Sequence, residues 1–304
     1  MSMLATGLWP QIVTRAGRAL GRDRIAAWMF IGPSCAVLLI VFVFPMLQTL
    51  RLSFLPEGSR EGGWTFSNYT TLLSDPVFRQ VGVNTLGFVL ASVIGYVVLG
   101  LGLALLLNAP LPGRTVFRML AILPWTIPDV IVGIIWRWLL NPLYGPVNAL
   151  LSAAGLGTFQ WLADPTLAMP SVVIANLWRG TSFAMLILLA GLQAIPSDFY
   201  EAAAIDGAGR VQQLWYIVLP CLRAPLIVAV ALSGIWEFRR FALVMSMTGG
   251  GPGMQTEILS ISIYRQYFDY YRFETASAAA VLLALFTLIV SIPQIRVMAR
   301  QGEE

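Results

Sequence analysis

The sequence contains no histidine, all 19 of its basic residues are arginine, and only two residues are cysteine. A Walker A phosphate loop requires its lysine, a serine or cysteine triad usually requires a histidine, and most zinc sites use histidine or several cysteines. These absences argue against a self-contained NTPase, a triad hydrolase and a zinc enzyme. Cys35 lies in an apolar run and Cys221 beside a basic loop, so neither indicates a disulfide framework.

Charge is also scarce. Charged residues make up 11% of the 304 residues and hydrophobic ones 58%, with a mean hydropathy of +0.76. A soluble domain carries about 25% charged residues, so this composition predicts an integral membrane protein. The arginines are scattered without a basic block, and the net charge of +4 therefore does not indicate a nucleic-acid partner.

Six stretches are apolar enough to cross a bilayer, which requires about 20 residues each. An all-α protein with six transmembrane helices is predicted at residues 25–47, 83–107, 116–140, 169–192, 225–247 and 273–295. The third stretch contains Pro124, Pro128 and Asp129, which predicts a kinked helix or a helix with a broken start. A re-entrant segment around 126–129 is the alternative.

The arginines also predict an orientation. With the N-terminus inside, ten arginines fall in the segments that then face the cytoplasm and five fall in the external loops. Cytoplasmic segments carry the excess of positive charge, so an N-in, C-in topology is predicted.

The segment 193–224, between the fourth and fifth stretches, is too long to be a simple turn. Ser197 is a predicted helix N-cap after a proline, and Glu201 near the helix start suits the helix dipole. Gly207 and Gly209 predict a tight turn before a second helix over 210–217, with Pro220 as its boundary. The small residues at the turn suit insertion into a groove on another protein, while a hairpin that packs only on its own bundle remains the alternative.

This segment resembles the signature loop of the inner-membrane permease subunits of binding-protein-dependent ABC importers. The matching positions are Glu201, Ala202, Ala203, Asp206, Gly207, Ala208, Ile217, Leu219 and Pro220. The resemblance implies that the segment is a coupling helix, which docks into a groove of an ATPase subunit. It also implies the type I importer fold and a chain that is itself no enzyme, because separate subunits hydrolyse ATP.

Further segments are similar to the carbohydrate branch of these permeases, the maltose and glycerol-phosphate type. They are 178–183 with 190–196, the Thr-Gly-Gly-Gly-Pro turn at 248–252, and the pair Asn84 and Thr85. The similarity divides the chain into an N-terminal part, 1–81, a permease core, 82–296, and a cytoplasmic tail, 297–304. It implies two ATP-binding subunits, a second related permease, an extracytoplasmic solute-binding protein and a carbohydrate substrate at the inner membrane, and it implies no cofactor or metal.

Charges within the predicted spans are candidates for the substrate pathway, because charge in a bilayer is expensive. Arg179 lies about two turns into the fourth span, where it either snorkels or faces the pathway. Glu237 and Arg240 are three residues apart and are predicted to pair on one helix face, either in a polar cavity or as a structural pair. Asp129 has no obvious partner. Trp125 is expected in an aromatic belt or the core rather than beside a sugar.

An ion-gradient-driven secondary transporter is the alternative function. Such proteins usually contain internal repeats and acidic groups at the membrane midplane. No repeat between the two halves is evident in this sequence, and the signature loop would have no role in such a protein.

Overall fold

The structure is a computed structural model that describes residues 28–58 and 63–301, with side chains through residue 292. The predicted cytoplasmic residues that precede the first span, and 302–304 of the predicted tail, lie outside the described residues. The chain divides into two compact units, residues 1–52 and 53–304.

The described part of the first unit consists of one apolar helix. Helix α1, Trp28–Ser53, includes a π-helical turn at Leu39–Val43 and reaches the unit boundary at its C-terminal end. It is long and apolar enough to cross a membrane. A helix of this kind suits a lipid environment.

The described part of the second unit is helical, with connecting loops and turns. Its helices are α2 (Ser67–Ser74), α3 (Pro76–Asn108), α4 (Arg114–Thr126), α5 (Asp129–Leu139), α6 (Pro146–Ala153), α7 (Ala168–Gln193), α8 (Ser197–Ile205), α9 (Arg210–Cys221), α10 (Arg223–Phe238), α11 (Ala242–Met247), α12 (Leu259–Tyr264) and α13 (Phe273–Gln301).

Four described helices are long and apolar enough to cross a membrane: α1, α3, α7 and the stretch Phe273–Ile292 of α13. Two bent pairs raise the number to six if each pair is one span. The first pair is α4 and α5, bent by 100°, and the second is α9 and α10, bent by 67°. Six is the number of spans that the sequence predicts, although the second pair includes α9, which lies in the segment 193–224 that the sequence places between two spans.

The predicted break in the third span is present. Helix α4 ends at Thr126, and α5 begins at Asp129 after Ile127 and Pro128. Because proline lacks an amide hydrogen and restricts the residue before it, the chain leaves the helical conformation there. The backbone of Ile127 is extended, with φ −80° and ψ 132°.

The prediction of one continuous helix over 225–247 is wrong. Helix α10 ends at Phe238, and α11 begins only at Ala242. The interruption contains Arg239 and Arg240, and the departure of Phe241 from helical geometry, at φ −126° and ψ −59°, redirects the chain. Buried charge requires partners, and the interruption brings Arg240 to carboxylates on two different elements.

The long helices α3 and α7 pack closely along the centre of the second unit. A Cβ added at Gly100 would lie 2.8 Å from Cβ of Ala184, and one added at Gly180 would overlap the ring of Tyr96. Small residues allow helices in a membrane to approach in this way. Helix α10 packs against both helices and against α13, so the interrupted spans lie beside the central pair.

Candidate functional sites: a charged cavity and an exposed helical segment

A cavity of about 350 Å³ opens beside the two helix interruptions. Its lining residues combine aromatic, hydroxyl and cationic side chains: Trp125, Thr126, Arg179, Trp236 and Arg240. Phe183 lies between the two indoles, with ring-centroid distances of 5.8 Å to Trp125 and 4.6 Å to Trp236. Binding sites for small molecules commonly combine such apolar surface with a few polar groups. Trp125, for which the sequence favours an aromatic belt or the core, lines this cavity.

Asp129 joins the two arginines of the cavity, which corrects the prediction that it has no partner. Its oxygens lie 3.0 and 2.9 Å from Nη1 of Arg240, and Oδ1 lies 2.9 Å from Nε of Arg179. The same Nε of Arg179 donates to the carbonyl oxygen of Ile127 at 3.1 Å. The sequence could not reveal these pairs, since 111 residues separate Asp129 from Arg240.

Glu237 lies behind the cavity rather than on its wall, with a residue exposure of 1%. It pairs with Arg240 as predicted, although Arg240 lies beyond the end of α10 rather than on its face. The hydroxyl of Tyr96 donates to Glu237 Oε1 at 3.0 Å, and Nδ2 of Asn176 donates to Oε2 at 2.6 Å. Glu237 thus has hydrogen-bond partners from three segments of the chain, as a buried carboxylate requires.

Sequence analysis missed Tyr96 and Asn176 as members of this cluster. Both are nearly or fully buried, and Asn176 also donates to Oγ of Ser92 at 3.0 Å. Their signal in the sequence was weak, because each is one of several uncharged polar residues within a long apolar helix. Such residues commonly form hydrogen bonds between helices in membranes.

The segment from α8 to α9 has the predicted helix, turn and second helix. Gly207 has φ +79° and follows the end of α8. The amide of Ala208 donates to the carbonyl of Ala203 at 2.8 Å, and that of Gly207 donates to Ala204 at 3.1 Å. These two bonds form a Schellman motif, which requires a residue in the left-handed conformation at the position of Gly207.

Two details of the prediction for this segment are wrong. Ser197 is the first residue of α8 rather than its cap, since Pro196 occupies the cap position and makes no side-chain hydrogen bond to the helix. Pro220 does not end the second helix, because α9 continues to Cys221 and the chain bends before Arg223. A proline in the first turn of the short helix after the π-helical turn Leu214–Val218 is compatible with helical geometry.

The segment presents most of its surface away from the bundle. The side chains of Ile205 and Tyr216 have exposures of 87% and 81%, and Glu201, Ala202, Asp206 and Gly207 are also exposed. Ala203, Ala208, Ile217 and Leu219 are half-buried, and Pro220 is exposed. The buried side chains of Val218 and Leu222 pack in a core cluster with Met185 and Leu188 of α7. One side of the segment is therefore anchored, while the turn and α8 are open to a partner.

The structure brings the pair Asn84 and Thr85 into contact with the loop that follows the Thr-Gly-Gly-Gly-Pro turn, although about 170 residues separate them. Nδ2 of Asn84 donates to the carbonyl oxygens of Met254 at 2.8 Å and Glu257 at 3.1 Å. Thr85 accepts a hydrogen bond from the amide of Leu259 at 2.9 Å. The start of α3 thus holds the loop that follows the Thr-Gly-Gly-Gly-Pro turn.

Comparison with known proteins gives one family over most of the chain. Residues 72–300 match the family described as "Binding-protein-dependent transport system inner membrane component". The chain is 36% identical to the trehalose/maltose transport system permease protein MalF of Thermococcus litoralis, over 91% of this chain and 94% of that protein. It is 32% identical to the sulfoquinovosyl glycerol transport system permease protein SmoG of Agrobacterium fabrum, over 91% of each.

Solved structures agree with the sequence comparison. The chain is similar to a chain in the crystal structure of a bacterial ABC transporter involved in the import of the acidic polysaccharide alginate, with a TM-score of 0.82 and 25% identity. The match covers 94% of this chain and 99% of that one. A second structure of an alginate transporter, in complex with a periplasmic protein bound to an alginate pentasaccharide, matches with a TM-score of 0.80.

Proposed function

The chain belongs to the family of binding-protein-dependent transport system inner membrane components, and we propose that it imports a carbohydrate as the permease subunit of an ATP-driven transporter. The observation that carries the proposal is the exposed segment α8–α9, with its signature residues around Gly207. The cavity supports the choice of solute, because aromatic rings and hydrogen-bonding side chains line it together. The ion-gradient alternative has no support among the relatives, which are permeases of ABC transporters.

In this proposal α8 and the turn at 206–209 dock on an ATP-binding subunit. Glu201 and Asp206 are exposed carboxylates that suit charge-assisted contacts with a basic groove, and the exposed Ile205 supplies apolar contact. ATP hydrolysis then takes place on the partner subunits, and this chain is no enzyme. The core 82–296 contains the pathway, with Arg179 and Arg240 on its wall and Glu237 supporting Arg240.

The remaining partners follow from the same proposal. A second, related permease completes the pathway, two ATP-binding subunits dock from the cytoplasm, and an extracytoplasmic binding protein delivers the solute at the inner membrane. The solved alginate transporter in complex with a periplasmic protein is the precedent for the binding protein.

Co-purification tests the proposal. We expect the tagged chain, co-expressed with the other subunits of its importer, to retain an ATP-binding subunit through detergent extraction. After reconstitution, the loaded binding protein is expected to stimulate ATP hydrolysis and uptake together. Uptake that follows an ion gradient and needs no ATP would contradict the proposal.

The N-in topology makes a separate prediction about thiol labelling. In a variant with Cys35 and Cys221 replaced by serine, a cysteine at Thr158 is expected to react with an impermeant maleimide outside intact cells. A cysteine at Gly209 is expected to react only after the cells are opened. Thr158 is exposed, and a Cβ at Gly209 has only the Gln212 side chain nearby, at 3.8 Å, so neither change disturbs the fold. The reverse pattern would overturn the orientation.

A further inference from the structure

The terminal nitrogens of Arg179 are free to bind a solute. Nε makes both of this side chain's contacts, to Asp129 at 2.9 Å and to the carbonyl of Ile127 at 3.1 Å. Within the part of the chain that the structure describes, Nη1 and Nη2 have no hydrogen-bond partner. The side chain is 17% exposed and lines the cavity, so the free edge of the guanidinium is accessible there.

Arg240 differs from Arg179 in this respect. Its Nη1 binds both oxygens of Asp129, and its Nε and Nη2 bind Glu237. Its charge is therefore balanced by carboxylates before any solute enters. Among the described residues, both terminal nitrogens of Arg179 lack a partner, whereas each terminal nitrogen of Arg240 already binds a carboxylate.

Two further arginines lie near the interruptions: Arg137 in the last turn of α5 and Arg239 in the second interruption. Arg137 and Arg239 are exposed, and neither has an ion-pair partner among the described residues. Arg137 lines a second cavity, of about 260 Å³, together with Asn141, Gln160 and Thr248. The positive charge of Arg137 and Arg239 favours the approach of an anion.

We infer that the solute is an acidic carbohydrate, whose oxyanion binds the terminal nitrogens of Arg179 while a sugar ring lies against Trp125 or Trp236. This inference rests on the proposed function and specifies its substrate class. A guanidinium presents two parallel donors that match a carboxylate, sulfonate or phosphate, and charge-assisted hydrogen bonds are about twice as strong as neutral ones. Aromatic faces beside the arginine supply the apolar surface that a ring requires.

Binding to the complete importer in nanodiscs, with the binding protein omitted, tests the inference at the cavity itself. The probes are digalacturonate and its uncharged diamide, which have nearly the same shape. We expect the acid to bind at least about tenfold more tightly than the diamide, in line with the strength of hydrogen bonds to charged groups. Equal affinities, or no binding of the acid, would overturn the inference.

Arg179→Lys separates solute binding from support of Asp129. Lysine keeps the positive charge for Asp129 but lacks the planar fork, so we expect acid affinity to fall about tenfold while diamide affinity stays unchanged. Arg79→Lys, at an exposed arginine outside the cavity, is the control and is expected to bind both probes normally. Unchanged acid affinity in Arg179→Lys would assign Arg179 a purely structural role and reject the inference.

Uptake by the same preparation, with ATP and the binding protein, tests the acidic substrate separately from the proposed importer function. ATP-dependent uptake of neutral sugars alone would overturn the acidic substrate and leave the importer standing. Absence of ATP-dependent uptake for every sugar, acidic or neutral, would overturn the proposed function as well.

Discussion

Gly207→Val is expected to reduce binding-protein-stimulated ATP hydrolysis and transport together, while the membrane bundle still folds. Gly207 has φ +79°, and a Cβ added there would meet no atom within 4 Å. The effect therefore comes from the backbone: the left-handed conformation costs an L-residue about 1–2 kcal/mol, and a β-branched residue is a particularly poor fit. Loss of that conformation removes the Schellman bonds to Ala203 and Ala204 and displaces the docking turn.

The measurement is ATP hydrolysis by the reconstituted importer with and without loaded binding protein, alongside uptake. We expect stimulated hydrolysis and uptake to fall together by about tenfold or more, as a factor of ten corresponds to about 1.4 kcal/mol. Gly207→Asn is expected to restore most of both, because asparagine tolerates the left-handed conformation. Gly209→Ala is the control at an ordinary φ of −71°. Full stimulation in Gly207→Val would remove the basis for the docking role.

Arg240→Met is expected to destabilise the protein by about 3–5 kcal/mol, the usual effect of breaking a buried ion pair on one side. Arg240 is 8% exposed and neutralises Glu237, while Asp129 keeps a second partner in Arg179. The substitution leaves the buried Glu237 with only the neutral donors of Tyr96 and Asn176. We expect a lower midpoint in heating experiments monitored by size-exclusion chromatography in detergent.

The neighbouring arginine supplies the matched control. Arg239 is exposed, and no ion pair to it is found among the described residues, so Arg239→Met is expected to change stability by less than about 0.5 kcal/mol. The double variant Glu237→Gln, Arg240→Met removes both charges and is expected to recover most of the loss. Equal stability of Arg240→Met and the wild type, or no recovery in the double variant, would show that the pair contributes little.

The fold was largely predictable because each helix that spans a bilayer requires a long run of apolar residues, and such runs are visible in the sequence. Long apolar runs gave the four long helices, Pro124 and Pro128 marked the first interruption, and the signature residues around Gly207 identified the family, which the comparisons confirm. The second interruption was missed. No proline or glycine marks residues 239–241, and their departure from the helix depends on tertiary contacts, namely those of Arg240 with Asp129 and Glu237.

The cavity was predictable only in part, because it too depends on tertiary contacts. Arg179, Glu237 and Arg240 were identifiable as costly charges within apolar stretches. Their partners were not, because Asp129, Tyr96 and Asn176 come from different helices and have no periodic pattern that relates them. The sequence also does not show which of these charges reaches the cavity. Glu237 is enclosed by its neighbours, whereas Arg179 faces the cavity, yet each is simply a charged residue within an apolar stretch.

The two interruptions are braced against each other. Arg179 binds the Ile127 carbonyl in the first and Asp129 just after it, and Arg240 in the second binds the same Asp129. Ser260 holds the carbonyl of Arg240 at 2.6 Å. A hinge requires residues that can change their dihedral angles freely, but a change at either interruption would separate partly buried ion pairs. The interruptions therefore form a rigid connection rather than a hinge, and we expect them to keep their geometry during a transport cycle.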